Sequence, residues 1–107
     1  MTDPIPLVID TDPALGVIHG GRPRDVDDAF ALAEALNAPD VDLLGITVTF
    51  GNAPLDRAFA VAQELLAVAG ADVPLAAGEA AAIPDEGLPP ETDATRLLRR
   101  QIGRAHV

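Results

Sequence analysis

Two stretches of the chain, LVIDTDP (residues 7–13) and DVDDAFAL (residues 25–32), decide the fold. The first is a short apolar run that ends in a pair of aspartates, a pattern typical of a buried strand that ends at Asp10. The second combines aspartates with apolar residues spaced three and four apart, which predicts an amphipathic helix. A strand followed by a helix in this way is the opening unit of an α/β fold.

The predicted helix runs from about Asp27 to Asn37, and Pro39 ends it. Asp25 is placed to cap this helix, and Asp28 three residues later resembles the second half of a capping box. Residues 11–26, between the strand and the helix, are rich in glycine and proline and are predicted to form a loop.

The rest of the chain continues the same alternation. Residues 41–50 (VDLLGITVTF) are almost wholly apolar, which is typical of a strand covered on both faces in a parallel sheet. The elements predicted after it are, in order, a turn (51–54), the most regular helix of the chain (55–69, with Gly70 as its C-cap), a short strand (73–76), a loop (78–92) and a last helix (93–101).

This order predicts an open, mainly parallel sheet with helices on both faces, a Rossmann-like α/β fold. Ligands of such sheets bind beyond the carboxyl ends of the strands. Asp10, Asp12 and Asn52 each lie at or just after the end of a predicted strand. We therefore expect them at one edge of the sheet, together with the start of the first helix.

Composition excludes several classes of function. The chain has 107 residues, of which 49% are apolar, but no apolar run long enough to span a membrane. Its formal net charge is −10, whereas a nucleic-acid-binding protein needs a basic face, so we expect neither nucleic-acid nor membrane partners. The absence of cysteine rules out disulfides and thiolate metal sites. The acidic start does not resemble a signal peptide, so a cytoplasmic protein is expected.

Aspartates cluster where the first strand ends and the first helix begins: Asp10, Asp12, Asp25, Asp27 and Asp28. Carboxylates this close repel one another, which raises some of their pKa values unless a positive charge lies among them. Because only oxygen ligands are on offer, Ca²⁺ or Mg²⁺ is the natural candidate. The alternative is that the aspartates at the helix start only cap it. Asp10 and Asp12 cap nothing obvious and favour the metal site.

Residues 8–13 (VIDTDP) followed by residues 27–32 (DDAFAL) resemble the D-x-D-P-G-x-D-D-A motif of the inosine-uridine nucleoside hydrolases. The resemblance continues through residues 43–48 (LLGITV) to the Gly51-Asn52 pair, then through the second helix to residues 73–78 (VPLAAG). Corresponding motifs in the same order over about 80 residues are far more specific than one short motif.

This resemblance implies calcium-assisted hydrolysis of the N-glycosidic bond of ribonucleosides. Position by position, Asp12 is expected to bind calcium and to take the proton from the attacking water, with Asp28 as a second calcium ligand. Asp27 is expected to hold a ribose hydroxyl, Asn52 to orient the sugar or the water, and Asp10 to support the metal site as a surrounding carboxylate. The family also implies a small-molecule nucleoside substrate, a role in nucleoside salvage, and a homo-oligomer when the protein is complete.

The chain departs from the family pattern in three places. Ala14 stands where the motif has glycine, and residues 14–26 form an insertion where the family needs only a tight turn. We expect a solvated surface loop there and assign no role to His19. Residues 78–84 (GEAAAIP) replace a loop that in the family often contains His-Gly, so the resemblance does not specify the base.

The family's members are longer, and their later part carries a further calcium-binding aspartate and the groups that bind the base. We therefore expect residues 1–101 to be the N-terminal part of a single hydrolase domain, poorly stable and inactive alone. Residues 102–107 (IGRAHV) break the pattern of the last helix and are similar to the translation of a common short-read sequencing adapter. We expect this tail to be non-native and give His106 no role.

Two other functions remain open on the sequence. A haloacid-dehalogenase-like phosphatase also places Asp-x-Asp after its first strand and binds Mg²⁺, but Pro13 and the Asp27-Asp28 pair do not fit its pattern. A non-catalytic acidic α/β binding module is permitted by Ala14 and by the insertion. An Asp12→Asn exchange separates the hydrolase from such a module, which has no turnover to lose.

Overall fold

The computed structural model describes residues 3–85, 87 and 89–102. The strands and helices are, in chain order, β1 (Ile5–Thr11), β2 (Ile18–His19), β3 (Arg22–Pro23), α1 (Asp27–Asn37), β4 (Val41–Val48), α2 (Leu55–Ala69), β5 (Leu75–Ala77) and α3 (Asp93–Gln101).

Three of the strands form the sheet that organises the molecule. Their order is β1-β4-β5, and both neighbouring pairs run parallel. The crossover from β1 to β4 contains α1 and the crossover from β4 to β5 contains α2, as parallel neighbours require. The predicted α/β class with a parallel sheet is therefore confirmed.

One face of the sheet is covered by α1 and α2. Leu32 of α1 and Leu66 of α2 are buried against Ile46 and Val48 of β4. Ala58 and Ala62 are both buried, and their small side chains let α2 lie close to the strands. This apolar cluster is the main core, and its burial is the chief favourable contribution to folding.

The other face is covered by α3, which confirms helices on both faces. Ala94 and Leu97 of α3 pack with Ala76 of β5 and with Val8 of β1. A side chain at Gly45 of β4 would overlap Leu97, so the glycine allows the helix to approach the strand.

The bounds of several elements differ from the prediction. β1 extends through Asp10 to Thr11, β4 ends at Val48 rather than Phe50, and β5 is shifted to Leu75–Ala77. The insertion is also more ordered than expected, because β2 and β3 pair within it as a short antiparallel hairpin. Two-residue strands are too short to show an alternation in the sequence, which is why a plain loop was predicted.

The predicted cap of α1 is wrong. The residue at the N-cap position is Val26, and no side chain caps the helix. The Asp28 carboxylate instead accepts hydrogen bonds from residues at the end of β1, so it is not available for a capping box. At α2 the prediction is confirmed, since Gly70 has the left-handed conformation of a C-cap.

The carboxyl-terminal tail predicted to be non-native, residues 102–107, lies outside the described residues except for Ile102. The assignment of residues 1–101 to part of a larger domain stays a prediction. Among the helices that the structure describes, none is both long and apolar enough to cross a membrane.

Candidate functional site

The site lies at the carboxyl edge of the sheet, where β1 and β4 end side by side. The Thr49 N–H donates to the Thr11 carbonyl at 3.0 Å, which holds the two chain segments together just beyond the last paired residues. Asp12 follows β1 directly and the Gly51-Asn52 pair lies in the turn after β4. The predicted meeting of Asp12 and Asn52 at one edge is confirmed.

Asp28, in the first turn of α1, is bound to the end of β1. Its Oδ2 accepts a hydrogen bond from the Thr11 hydroxyl at 2.6 Å and another from the Asp12 N–H at 3.0 Å. The two carboxylates of Asp12 and Asp28 are thereby brought next to each other, although 16 residues separate them in the chain.

The turn after β4 holds Asp12 from the opposite side. The Asn52 N–H donates to Oδ2 of Asp12 at 2.9 Å. Gly51 is needed for this contact, because a Cβ at that position would overlap the same carboxylate oxygen. Asp12 is therefore fixed between the start of α1 and the turn that follows β4.

The side chain of Asn52 holds the segment that precedes α1. Its Nδ2 donates to the Asp25 carbonyl at 2.7 Å, and its Oδ1 accepts from the Asp25 N–H at 3.2 Å. The main chain of Asn52 thus binds Asp12 while its amide group binds the main chain of Asp25.

The electrostatics of Asp12 and Asp28 differ although they are neighbours. Burial, followed by the nearby Asp28 carboxylate, raises the pKa of Asp12 above its usual range. The hydrogen bonds from the Thr11 hydroxyl and the Asp12 N–H lower the pKa of Asp28. Asp28 is therefore the carboxylate that stays charged, and Asp12 is the one with the greater affinity for a proton.

Asp10 and Asp27 stand apart from this pair. Asp10 accepts a hydrogen bond from the Thr47 hydroxyl of β4 at 2.7 Å. It lines a cavity of about 400 Å³ that is walled by residues of α3 and the loop before it. Asp27 is exposed at the first position of α1, and no hydrogen bond from its side chain to a described residue is present.

The donor atoms at the site suit a hard cation, but they are few. Asp12 and Asp28 offer carboxylate oxygens, the ligand type that Ca²⁺ prefers. Within residues 3–85, 87 and 89–102 no group of three or more His, Cys, Asp or Glu side chains is arranged to hold a metal. The pair therefore fits part of a calcium site rather than a complete one.

Sequence reasoning missed two hydroxyl residues of the site. Thr11 donates to Asp28, and Thr47, which is fully buried, donates to Asp10. Thr47 is a polar residue within an otherwise apolar strand end, and that contrast is the available signal, whereas Thr11 lies between two aspartates and offers no such contrast. A buried hydroxyl needs a partner, and the nearest acceptors were the aspartates already under consideration.

Comparison with known proteins points to one family. The family described as inosine-uridine preferring nucleoside hydrolase matches residues 7–102. The chain is 42% identical over 73 residues to a probable uridine nucleosidase 2 of Arabidopsis thaliana, covering 67% of this chain. It is 40% identical over 80 residues to the non-specific ribonucleoside hydrolase RihC of Salmonella agona, covering 75% of this chain.

A solved plant nucleoside hydrolase, PpNRh1, has a similar structure. It superposes with a TM-score of 0.61 at 29% identity, over 79% of this chain and 25% of that one. The chain spans 19% of the Arabidopsis protein's length and 22% of the Salmonella protein's. An uncharacterized Corynebacterium ammoniagenes protein, 50% identical over 56 residues, is covered to 61% of its length.

Proposed function

The chain belongs to the inosine-uridine preferring nucleoside hydrolase family, and on that premise we propose that the complete protein hydrolyses the N-glycosidic bond of ribonucleosides or related ribosides with the help of bound calcium. One observation carries the proposal for this chain: Asp12 is in contact with both Asp28 and Asn52 at the carboxyl edge of the sheet. That edge is where ligands of open α/β sheets bind.

Asp12 and Asp28 are the residues that would hold the cation. A positive charge between them would offset the repulsion that contributes to the raised pKa of Asp12. Calcium takes about six to eight oxygen ligands, so we propose that substrate hydroxyls, water and residues outside this chain provide the others. Bound calcium would supply positive charge that makes a nearby water more acidic.

Asp12 is the proposed general base. It accepts a proton from the attacking water while the water oxygen bonds to the anomeric carbon of the ribose. The bond from that carbon to the nucleobase nitrogen breaks, and the nucleobase leaves with the bonding electrons and takes up a proton from solvent. Asp12 then releases its proton to solvent, so one water is consumed for each riboside. The carboxylate of Asp12 lies where it can accept the proton of a water bound beside it, and the surrounding negative charge favours an oxocarbenium-like transition state.

Asn52 and Asp27 are the proposed contacts to the sugar. An asparagine side chain has two N–H donors and two acceptor lone pairs, and Asp25 uses one of each. Asn52 therefore keeps one donor and one acceptor with which to orient the sugar or the water. Asp27 is exposed and free to accept a hydrogen bond from a ribose hydroxyl.

Asp10 is proposed to support the metal site without binding the substrate. Its hydrogen bond from Thr47 joins β1 to β4 two residues before Asp12. This bond fixes the strand end from which the Asp12 carboxylate projects.

We also propose that this chain contributes only part of the active site. The curated hydrolases that it matches are about five times longer than the matched segment, and among the described residues Asp12 and Asp28 alone would be too few ligands for calcium. On this proposal the 107-residue chain alone releases no ribose from ribosides. The complete protein acts on small-molecule nucleosides in cytoplasmic salvage and forms a homo-oligomer.

The test is an Asp12→Asn exchange in the complete protein, with ribose release from inosine and uridine as the measurement. Loss of the base should lower kcat by roughly 10²- to 10⁴-fold, while circular dichroism stays unchanged. Asp42→Asn is the matched control, because Asp42 lies at the opposite, amino end of β4 and is exposed. A wild-type protein that folds and releases no ribose would instead support a non-catalytic binding module.

A further inference from the structure

The insertion between β1 and α1 is a formed hairpin. Ile18 pairs with Pro23 and His19 with Arg22, and the two residues between them, Gly20 and Gly21, both have positive φ, at 63° and 72°. Two such residues make the type I′ turn that suits a two-residue hairpin connection. The insertion therefore has a defined shape although it is only partly buried.

The base of this hairpin is packed against the site. The Arg24 N–H donates to the Val17 carbonyl at 3.1 Å, and the Val17 N–H to the Ala14 carbonyl at 2.9 Å. Ala14 and Val17 are buried in one apolar cluster with Ala53, the residue that follows Asn52. Ala14, which departs from the family's glycine, thus has a packing role here.

The hairpin itself is also contacted by a side chain from outside the insertion. Arg57, in the first turn of α2, donates from Nη1 to the Ile18 carbonyl at 2.7 Å. The Arg24 N–H bonds the Val17 carbonyl across the hairpin, so Ile18 and Pro23 form a non-hydrogen-bonded pair. The Ile18 carbonyl therefore faces away from the partner strand, and the guanidinium supplies its donor.

The hairpin is linked to the carboxylates of Asp12 and Asp28 by a continuous series of contacts. The segment that leaves the hairpin reaches Asp25, whose main chain is bound by the Asn52 side chain. Asn52 in turn binds Asp12 through its N–H, and Asp12 binds Asp28. Movement of the hairpin would be transmitted to the start of α1 and to the turn that holds Asp12.

We propose that Arg57 is a positioning residue for the acidic site, acting through the hairpin of residues 18–23. It touches neither Asp12 nor Asp28. By fixing the hairpin it fixes Asp25 against Asn52, and so sets the separation of the two carboxylates. The catalytic part of this inference rests on the proposed hydrolysis, whereas its structural part does not.

The test compares Arg57→Ala with Arg57→Lys and with Arg22→Ala in the complete protein. Arg22→Ala is the matched control, because it removes the same charge from the hairpin and leaves the Arg57 contact in place. The first measurement is NMR-detected hydrogen exchange at the amides of Arg24 and Asn52. Arg57→Ala should raise both exchange rates by about tenfold or more, and Arg57→Lys should recover most of the protection, since an ammonium can donate the single bond.

The second measurement is the kinetics of ribose release. Misplacement of the carboxylates should lower kcat by roughly tenfold in Arg57→Ala, with a smaller change in KM. Faster exchange at Arg24 without any change at Asn52 would contradict the proposal, as would equal effects of Arg22→Ala. If the wild-type protein hydrolyses no riboside, the exchange rates still decide whether Arg57 positions the site, so the two failures are distinguishable.

Discussion

At the scale of single residues, Asp12 and Asp28 show how two identical side chains acquire different properties. Asp28 receives a hydroxyl and an N–H donor, which stabilise its charge. Asp12 receives one N–H from Asn52 but bears the cost of burial and of its charged neighbour. This division is typical of sites in which one carboxylate stays ionised and the other exchanges a proton.

The pKa shifts of Asp12 and Asp28 predict that neutral substitutions at these two positions have opposite effects on stability. The pKa of Asp12 is raised from 3.8 in the folded protein, so its ionisation destabilises the fold as pH rises through the folded pKa. Asp12→Asn should therefore raise Tm at neutral pH without metal, and the gain should vanish once the pH falls well below 3.8, the value in the unfolded chain.

Asp28→Asn should behave in the opposite way. The folded pKa of Asp28 lies below 3.8, so its charge stabilises the fold above that pH and the contribution is lost as pH falls through the folded pKa. Asp28→Asn should lower Tm at neutral pH. Thermal unfolding by circular dichroism from about pH 2 to 8 measures both differences, and equal signs at neutral pH would contradict the charge assignment.

At the scale of elements, the sequence predicted what local periodicity determines. The helical spacing of residues 55–69 and the apolar run that begins at Val41 placed α2 and β4 in the correct order with a small error at the ends. The hairpin of residues 18–23 could not be predicted in this way. Its order depends on Arg57, which lies 39 residues further along the chain from Ile18, and on burial of Val17 beside Ala53.

The cap of α1 shows the same limit. Asp25 and Asp28 have the spacing of a capping box, and local sequence offers no competing partner. In the structure the end of β1 provides two donors to Asp28, and this tertiary contact prevails over the local one. The position of Asp12 and Asn52 at one edge of the sheet was therefore predictable, but the contacts among the aspartates were not.

The packing of α3 on β4 yields a prediction at this scale. Gly45→Ala places a methyl group against Leu97 and should destabilise the fold by about 1–3 kcal/mol. The double variant Gly45→Ala/Leu97→Ala should cost less than the sum of the two single changes, because the truncated leucine vacates the space that the methyl group needs. Urea unfolding of the four proteins measures the coupling, and strict additivity would contradict the described contact.

At the scale of the whole molecule, the three-stranded sheet carries the edge at which we propose a hydrolase site, on a chain that spans about a fifth of the length of its named hydrolase relatives. The family and the α/β class could be predicted from the order of the sequence motifs, because the aspartates and the Gly51-Asn52 pair of those motifs lie where strands end. Base specificity did not follow from the sequence, since residues 78–84 have no counterpart to the family's usual loop.

A calcium-assisted site is tested most directly by measuring ribose release from inosine and uridine by the complete wild-type protein, before and after chelation of divalent cations. We predict that chelation abolishes hydrolysis and that added Ca²⁺ restores it, with no restoration in Asp12→Asn. Undiminished hydrolysis in the chelated protein, or equal hydrolysis by Asp12→Asn, would contradict the assignment of Asp12 and Asp28 to a calcium-assisted site.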